Sequence, residues 1–142
     1  MRKIIILSGG FDPIHIGHVR MFRAAKKQGS TVVVGVNSDS WLSRKKGQPF
    51  MPLTERIEIL KGFKYIDYVY SFNDEDDTAC DLIKTVLQSY KNSKIFFGNG
   101  GDRTSETTPE MKYCKENGVE LLWDIGGEKI QSSSYLIKNA NK

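Results

Sequence analysis

At 142 residues, with 39% hydrophobic and 11% aromatic residues, the chain has the size and apolar content of a single domain, residues 1–142, with one buried core. Its longest apolar run, Ile4 to Leu7, is far too short to span a membrane and no charged-then-apolar leader opens the chain, so a cytoplasmic protein without membrane attachment is expected. The net charge of +4 is unevenly placed: residues 1–71 carry twelve Lys/Arg against five Asp/Glu, and residues 72–142 carry nine against twelve. An anionic ligand therefore belongs to the first half. No basic cluster is larger than Arg44-Lys45-Lys46, which argues against nucleic acid as the partner. Cys80 and Cys114 form no C-x-x-C, so neither a zinc site nor a disulfide framework is indicated.

The first apolar run predicts a strand over residues 3–8, followed by a glycine-rich loop and, from about Gly17, a helix with Val19, Phe22 and Ala25 on one face. A second β-branched strand covers residues 31–37. Residues 38–52 then read as a basic, mobile loop, and Pro52-Leu53-Thr54-Glu55-Arg56 opens the next helix. Strand 67–71 leads to a helix patterned by Ala79, Leu82, Ile83, Val86, Leu87 and Tyr90, with Asp77 or Thr78 as its N-cap. Strand 93–97 follows, and then a helix from Thr108-Pro109-Glu110 to Gly118, strand 119–123 and a short helix over residues 135–139. This alternation specifies an α/β fold, a Rossmann-like doubly wound open sheet of about five parallel strands with helices on both faces. Ligands of such sheets bind beyond the carboxyl ends of the strands, which directs attention to four loops, over residues 9–17, 38–52, 98–108 and 124–134.

Gly9-Gly10-Phe11-Asp12-Pro13-Ile14-His15-Ile16-Gly17-His18 lies between the first strand and the first helix. Glycines allow close approach of backbone to phosphate, and the helix start presents free N–H groups and the positive dipole end. Two imidazoles there can donate to a polyphosphate and stabilise charge developing on an attacked α-phosphate, with Gly17 keeping room between them. The segment resembles the H-x-G-H signature of the nucleotidylyltransferase superfamily. That resemblance implies that His15 and His18 contact the triphosphate, that Gly9, Gly10 and Phe11 lie against the nucleotide, and that Asp12 organises the loop.

The remaining expectations follow from the same resemblance. In glycerol-3-phosphate cytidylyltransferases and the bacterial enzymes that charge heptose 1-phosphate, a strand ending in Ser/Thr-Asp, a lysine-bearing loop and a helix-opening Arg occur in this order. Here the Lys46-Gly47, Pro49 and Pro52-Leu53 spacing is nearest the heptose type. Lys46, with Lys45 as the alternative register, would contact phosphate, and Arg56 would brace the site. Thr78 is a candidate for the acceptor phosphate, Gly98 and Asp102 for the nucleotide, and Arg103 for phosphate. Gln131, Ser132, Ser133 and Ser134 would bind the β- and γ-phosphates. Residues 126–134 lack the arginine of the glycerol-phosphate motif, for which Lys129 is a partial substitute. The implied reaction transfers a nucleoside monophosphate from an NTP, CTP ahead of ATP, to a small phosphorylated sugar, polyol or alcohol. Mg2+ would accompany the triphosphate, and a homodimer is implied by resemblance. Adenylyl transfer to a flavin-, nicotinamide- or sugar-phosphate acceptor and a non-catalytic nucleotide-binding module are the competing readings.

Overall fold

A computed structural model of the chain describes residues 2–28, 30–98 and 108–122. Five strands, β1 (Arg2–Gly9), β2 (Thr31–Val36), β3 (Tyr68–Ser71), β4 (Ser93–Gly98) and β5 (Glu120–Leu122), form one parallel sheet in the order β3-β2-β1-β4-β5. The helices between them are α1 (Ile16–Lys27), α2 (Asp39–Lys46), α3 (Leu53–Lys61), α4 (Cys80–Ser89) and α5 (Pro109–Glu116). The expected fold class is therefore the observed one.

Both faces of the sheet are covered, which is why its central strand reads as a continuous apolar run and not as an alternation. Ile4, Ile5, Ile6 and Leu7 are all fully buried, each contributing about 1.5–3 kcal/mol of transfer free energy. Their side chains alternate between two cores. Ile4 and Ile6 join Val33, Ile95 and Phe97 against Leu82, Ile83 and Val86 of α4 and Cys114 of α5. Ile5 and Leu7 join Val32, Val34 and Phe96 against Phe22 and Ala25 of α1 and Leu60 of α3. Gly35 lets α4 cross β2 closely, since a Cβ there would stand 2.3 Å from a Leu82 methyl.

The chain moves outward from β1 to β2 and β3, then returns to lay β4 on the other side of β1. This reversal opens a crevice beyond the carboxyl ends of β1 and β4, and the glycine-rich loop that leaves β1 lies at it.

One expectation is corrected. The basic segment after β2 is not a loop throughout: residues 39–46 form α2. Ser38 caps it by accepting from the Trp41 N–H at 3.0 Å, Asp39 complements the first turn, and Gly47 at φ 96° ends it. Its one buried residue is Leu42, so it lacks the apolar stripe by which a helix announces itself. A smaller correction concerns α4. Its N-cap is Ala79, which makes no side-chain cap bond, while Thr78 Oγ1 accepts from the Cys80 N–H and donates to Asp76.

Candidate active site

His15 is the N-cap of α1, and its Nδ1 accepts from the Gly17 N–H at 3.1 Å. His18, one turn on, accepts the His15 N–H on its own Nδ1 at 3.2 Å. Each imidazole thereby completes the hydrogen bonding of a helix start that would otherwise leave N–H groups unmet. A ring nitrogen that accepts carries no proton, so in this network the proton of each neutral ring resides on Nε2. The two rings stack with centroids 3.8 Å apart and planes inclined by 23°. The result is a stacked pair of imidazoles at the positive end of a helix dipole. A Cβ on Gly17 would lie 3.0 Å from the His15 ring and press on it, so glycine leaves the imidazole its present position.

The glycines and Phe11 of the loop take different roles. Gly9 closes β1, and a Cβ on Gly10 would meet a Leu42 methyl at 2.9 Å, so α2 docks directly on the loop at that point. Phe11, at φ 52°, turns its ring into the core, where it meets His18 edge-on at 4.9 Å and Phe22 at 5.6 Å. It is 2% exposed. Its side chain packs against the His18 imidazole, so any approach of a nucleotide to Phe11 falls to its backbone.

Asp12 organises the loop in a way the structure makes explicit. Its fully buried carboxylate accepts from the Phe50 N–H at 2.6 Å and the Met51 N–H at 2.7 Å, fastening the segment before α3 to the histidine loop. Both oxygens are committed to backbone donors. Arg56 completes the same frame. Fully buried, it donates to the carbonyls of Met51, Gly10 and Asn37 at 3.0, 2.9 and 2.7 Å and to the Asp39 carboxylate at 2.6 Å. Three stretches of chain, at Gly10, residues 37–39 and Met51, meet on one guanidinium, a geometry that braces the site and spends its donors on the protein.

The cations of α2 occupy its last turn, where they complement the helix dipole. Lys45 Nζ stands 5.8 Å from the centre of the Trp41 ring. Lys46 is exposed in the same turn. Arg44 faces the other way, donating to the Asp74 carbonyl and pairing with Asp77. Asp74 was not an expected site residue. It is 3% exposed and receives Asn37 Nδ2, the Ser38 N–H and the Ser38 hydroxyl. Burial pushes its carboxyl up, but these hydrogen bonds and the Arg44 charge outweigh that and hold it below the ordinary value. Asp74 therefore ties the loop before α4 to the end of β2, and the acidic run around it gave no signal of which carboxylate turns inward. Thr78, on the same loop, spends its hydroxyl on Asp76 and Cys80.

Gly98 ends β4 beside β1, as expected for the crevice. Asp102, Arg103, Lys129, Gln131, Ser132, Ser133 and Ser134 lie outside the described residues. Among the described residues no group of three or more His, Cys, Asp or Glu side chains is placed to hold a metal ion, and no helix is long and apolar enough to cross a membrane.

Residues 6–138 match the family model described as cytidylyltransferase-like. The chain belongs to the cytidylyltransferase-like family. The nucleotidyltransferase expected from the sequence is met at the level of this family. The bifunctional protein HldE of Shigella sonnei is 36% identical over 122 residues, covering 84% of this chain and 24% of that protein. HldE of Geobacter metallireducens is 37% identical over 130 residues, covering 89% and 25%. The family member described here thus spans about a quarter of the length of these relatives. Among solved structures, a lipopolysaccharide core biosynthesis protein from Thermoplasma volcanium superposes with a TM-score of 0.65 at 22% identity, covering 87% of this chain and 95% of that one. A putative nicotinate-nucleotide adenylyltransferase from Vibrio parahaemolyticus gives 0.62 at 17% identity, covering 99% and 86%. At these identities the superpositions establish the fold.

Proposed function

We propose that this domain transfers the nucleoside monophosphate of an NTP to a phosphorylated sugar and releases pyrophosphate. The observation that carries the reading is the histidine pair: both Nδ1 atoms accept backbone N–H groups, and the two rings stack at the start of α1. In the reaction, an oxygen of the acceptor phosphate attacks the α-phosphorus in line, the Pα–O–Pβ bond breaks, and pyrophosphate leaves with the electron pair. His15 and His18 stabilise the charge on the α-phosphate without forming a covalent intermediate. The acceptor phosphate is ionised near neutral pH, so no strong general base is needed. Lys46 is assigned to the triphosphate and residues 131–134 to its β- and γ-phosphates. Mg2+ would enter with the triphosphate, a mode that demands few protein ligands and fits a site whose Asp12 oxygens are both engaged.

ATP is placed ahead of CTP as donor. The sequence expectation put CTP first, but residues 126–134 lack the arginine of the glycerol-phosphate motif. The relatives at 36% and 37% identity are HldE proteins, which strengthens the heptose-type likeness of residues 46–53 and a sugar-phosphate acceptor. CTP remains the second reading, carried by the family model.

The test is pyrophosphate release with Mg2+ and either ATP or CTP across sugar 1-phosphates, including heptose 1-phosphate, with glycerol 3-phosphate alongside. Release with ATP and a sugar 1-phosphate is expected; release with CTP and glycerol 3-phosphate alone overturns both the donor and the acceptor assignment. His15→Ala and His18→Ala should each lower kcat by about 10²- to 10³-fold. Wild-type turnover in the double variant would refute the catalytic role of the pair.

A further inference from the structure

Trp41 lies on α2, a short polar helix whose one buried residue is its neighbour Leu42. The indole therefore has no core of its own to fill. It sits beside the histidine loop instead: a ring carbon is 3.6 Å from where a Cβ on Gly10 would stand. Lys45, one turn on, holds its ammonium over the same ring. The backbone under the indole is fixed by the Ser38 cap, and Ser38 is in turn held by the buried Asp74. A half-buried indole and a cation thus meet the glycine loop near the carboxyl ends of β1 and β2.

Such a surface suits a ligand that is part apolar face and part anion. The sheet order decides which substrate this is. β4 lies on one side of β1, and β2, which leads into α2, lies on the other. With the triphosphate at the start of α1 and the nucleoside toward Gly98, the α2 side is left to the acceptor. We infer that Trp41 and Lys45 form the acceptor subsite, the indole packing on the C–H face of a phosphorylated sugar and Lys45 pairing with its phosphate. The assignment rests on the sugar-phosphate reading above and adds the residues that select the sugar.

The chain has two tryptophans, Trp41 and Trp123, so Trp123→Phe makes Trp41 the sole reporter. Its emission is titrated with heptose, mannose and glucose 1-phosphates, and separately with ATP, CTP and inorganic phosphate. A saturable change with a sugar 1-phosphate, absent with inorganic phosphate or nucleotide alone, is expected. Unchanged emission with every sugar phosphate, or an equal change with nucleotide alone, overturns the assignment. In steady state, Trp41→Ala should raise the acceptor KM about tenfold and the NTP KM by less than about twofold, with Trp41→Phe recovering most of the loss. An equal rise in both KM values, or a fall in kcat alone, would show a structural role instead. The titration stands by itself if the alanine variant does not fold. A protein that responds to sugar phosphate yet releases no pyrophosphate would refute the transfer reaction while retaining the subsite.

Discussion

Asp12→Asn tests whether the histidine loop and the segment before α3 are one mechanical unit. The wild-type carboxylate accepts two backbone N–H groups at 2.6 and 2.7 Å while fully buried. An amide of the same shape still accepts one of them, but turns an N–H toward the other. One charge-assisted bond is lost, and a buried donor is left facing a donor. Hydrogen bonds to charged groups contribute about 1.5–3 kcal/mol, a sizeable part of the roughly 5–15 kcal/mol that holds a domain folded. At about 3 °C per kcal/mol for a chain near this length, Tm should fall by roughly 5–9 °C. Thermal unfolding gives this global figure, and amide hydrogen exchange locates it: protection should drop first at Phe50 and Met51. Turnover should fall as well, since α3 and Arg56 are registered to the histidines through this contact. A Tm within about 1 °C of wild type, with unchanged exchange at those two amides, would refute the frame.

Gly17→Ala separates activity from stability: alanine is the better helix former by about 1 kcal/mol, but its Cβ would press on the His15 ring at 3.0 Å. Turnover should fall while the urea midpoint holds or rises, so a variant with wild-type kcat would show that the imidazole position is not critical. Gly35→Ala would place a Cβ 2.3 Å from Leu82, and overpacking of this kind costs about 1–3 kcal/mol, read as a lower urea midpoint. Asp74 has a folded pKa below its ordinary 3.8, so its contribution is complete above about pH 4 and is lost as pH falls through the folded value. The stability gap between wild type and Asp74→Asn, measured by urea unfolding, should therefore be larger at pH 7 than at pH 3; a constant gap would refute the carboxylate network.

The order of elements was legible in the chain because buried parallel strands leave continuous β-branched runs and sheet-facing helices leave apolar stripes. Ile4 to Leu7 and the residue 79–90 pattern carried that signal unaided. The histidine pair was legible too, since H-x-G-H is a local arrangement within one helix start, where sequence neighbours are spatial neighbours. α2 was read as loop because a helix with one buried residue has no periodicity to detect, although Ser38 and Gly47 marked its ends. What the tertiary structure decided were contacts between distant segments: Asp12 with residues 50 and 51, Arg56 with Gly10, Asn37 and Asp39, Asp74 with Ser38, Trp41 beside Gly10. A buried carboxylate or guanidinium chooses its partners by which unmet backbone groups the fold brings within about 3 Å, and that proximity is set by the sheet order and not by spacing along the chain.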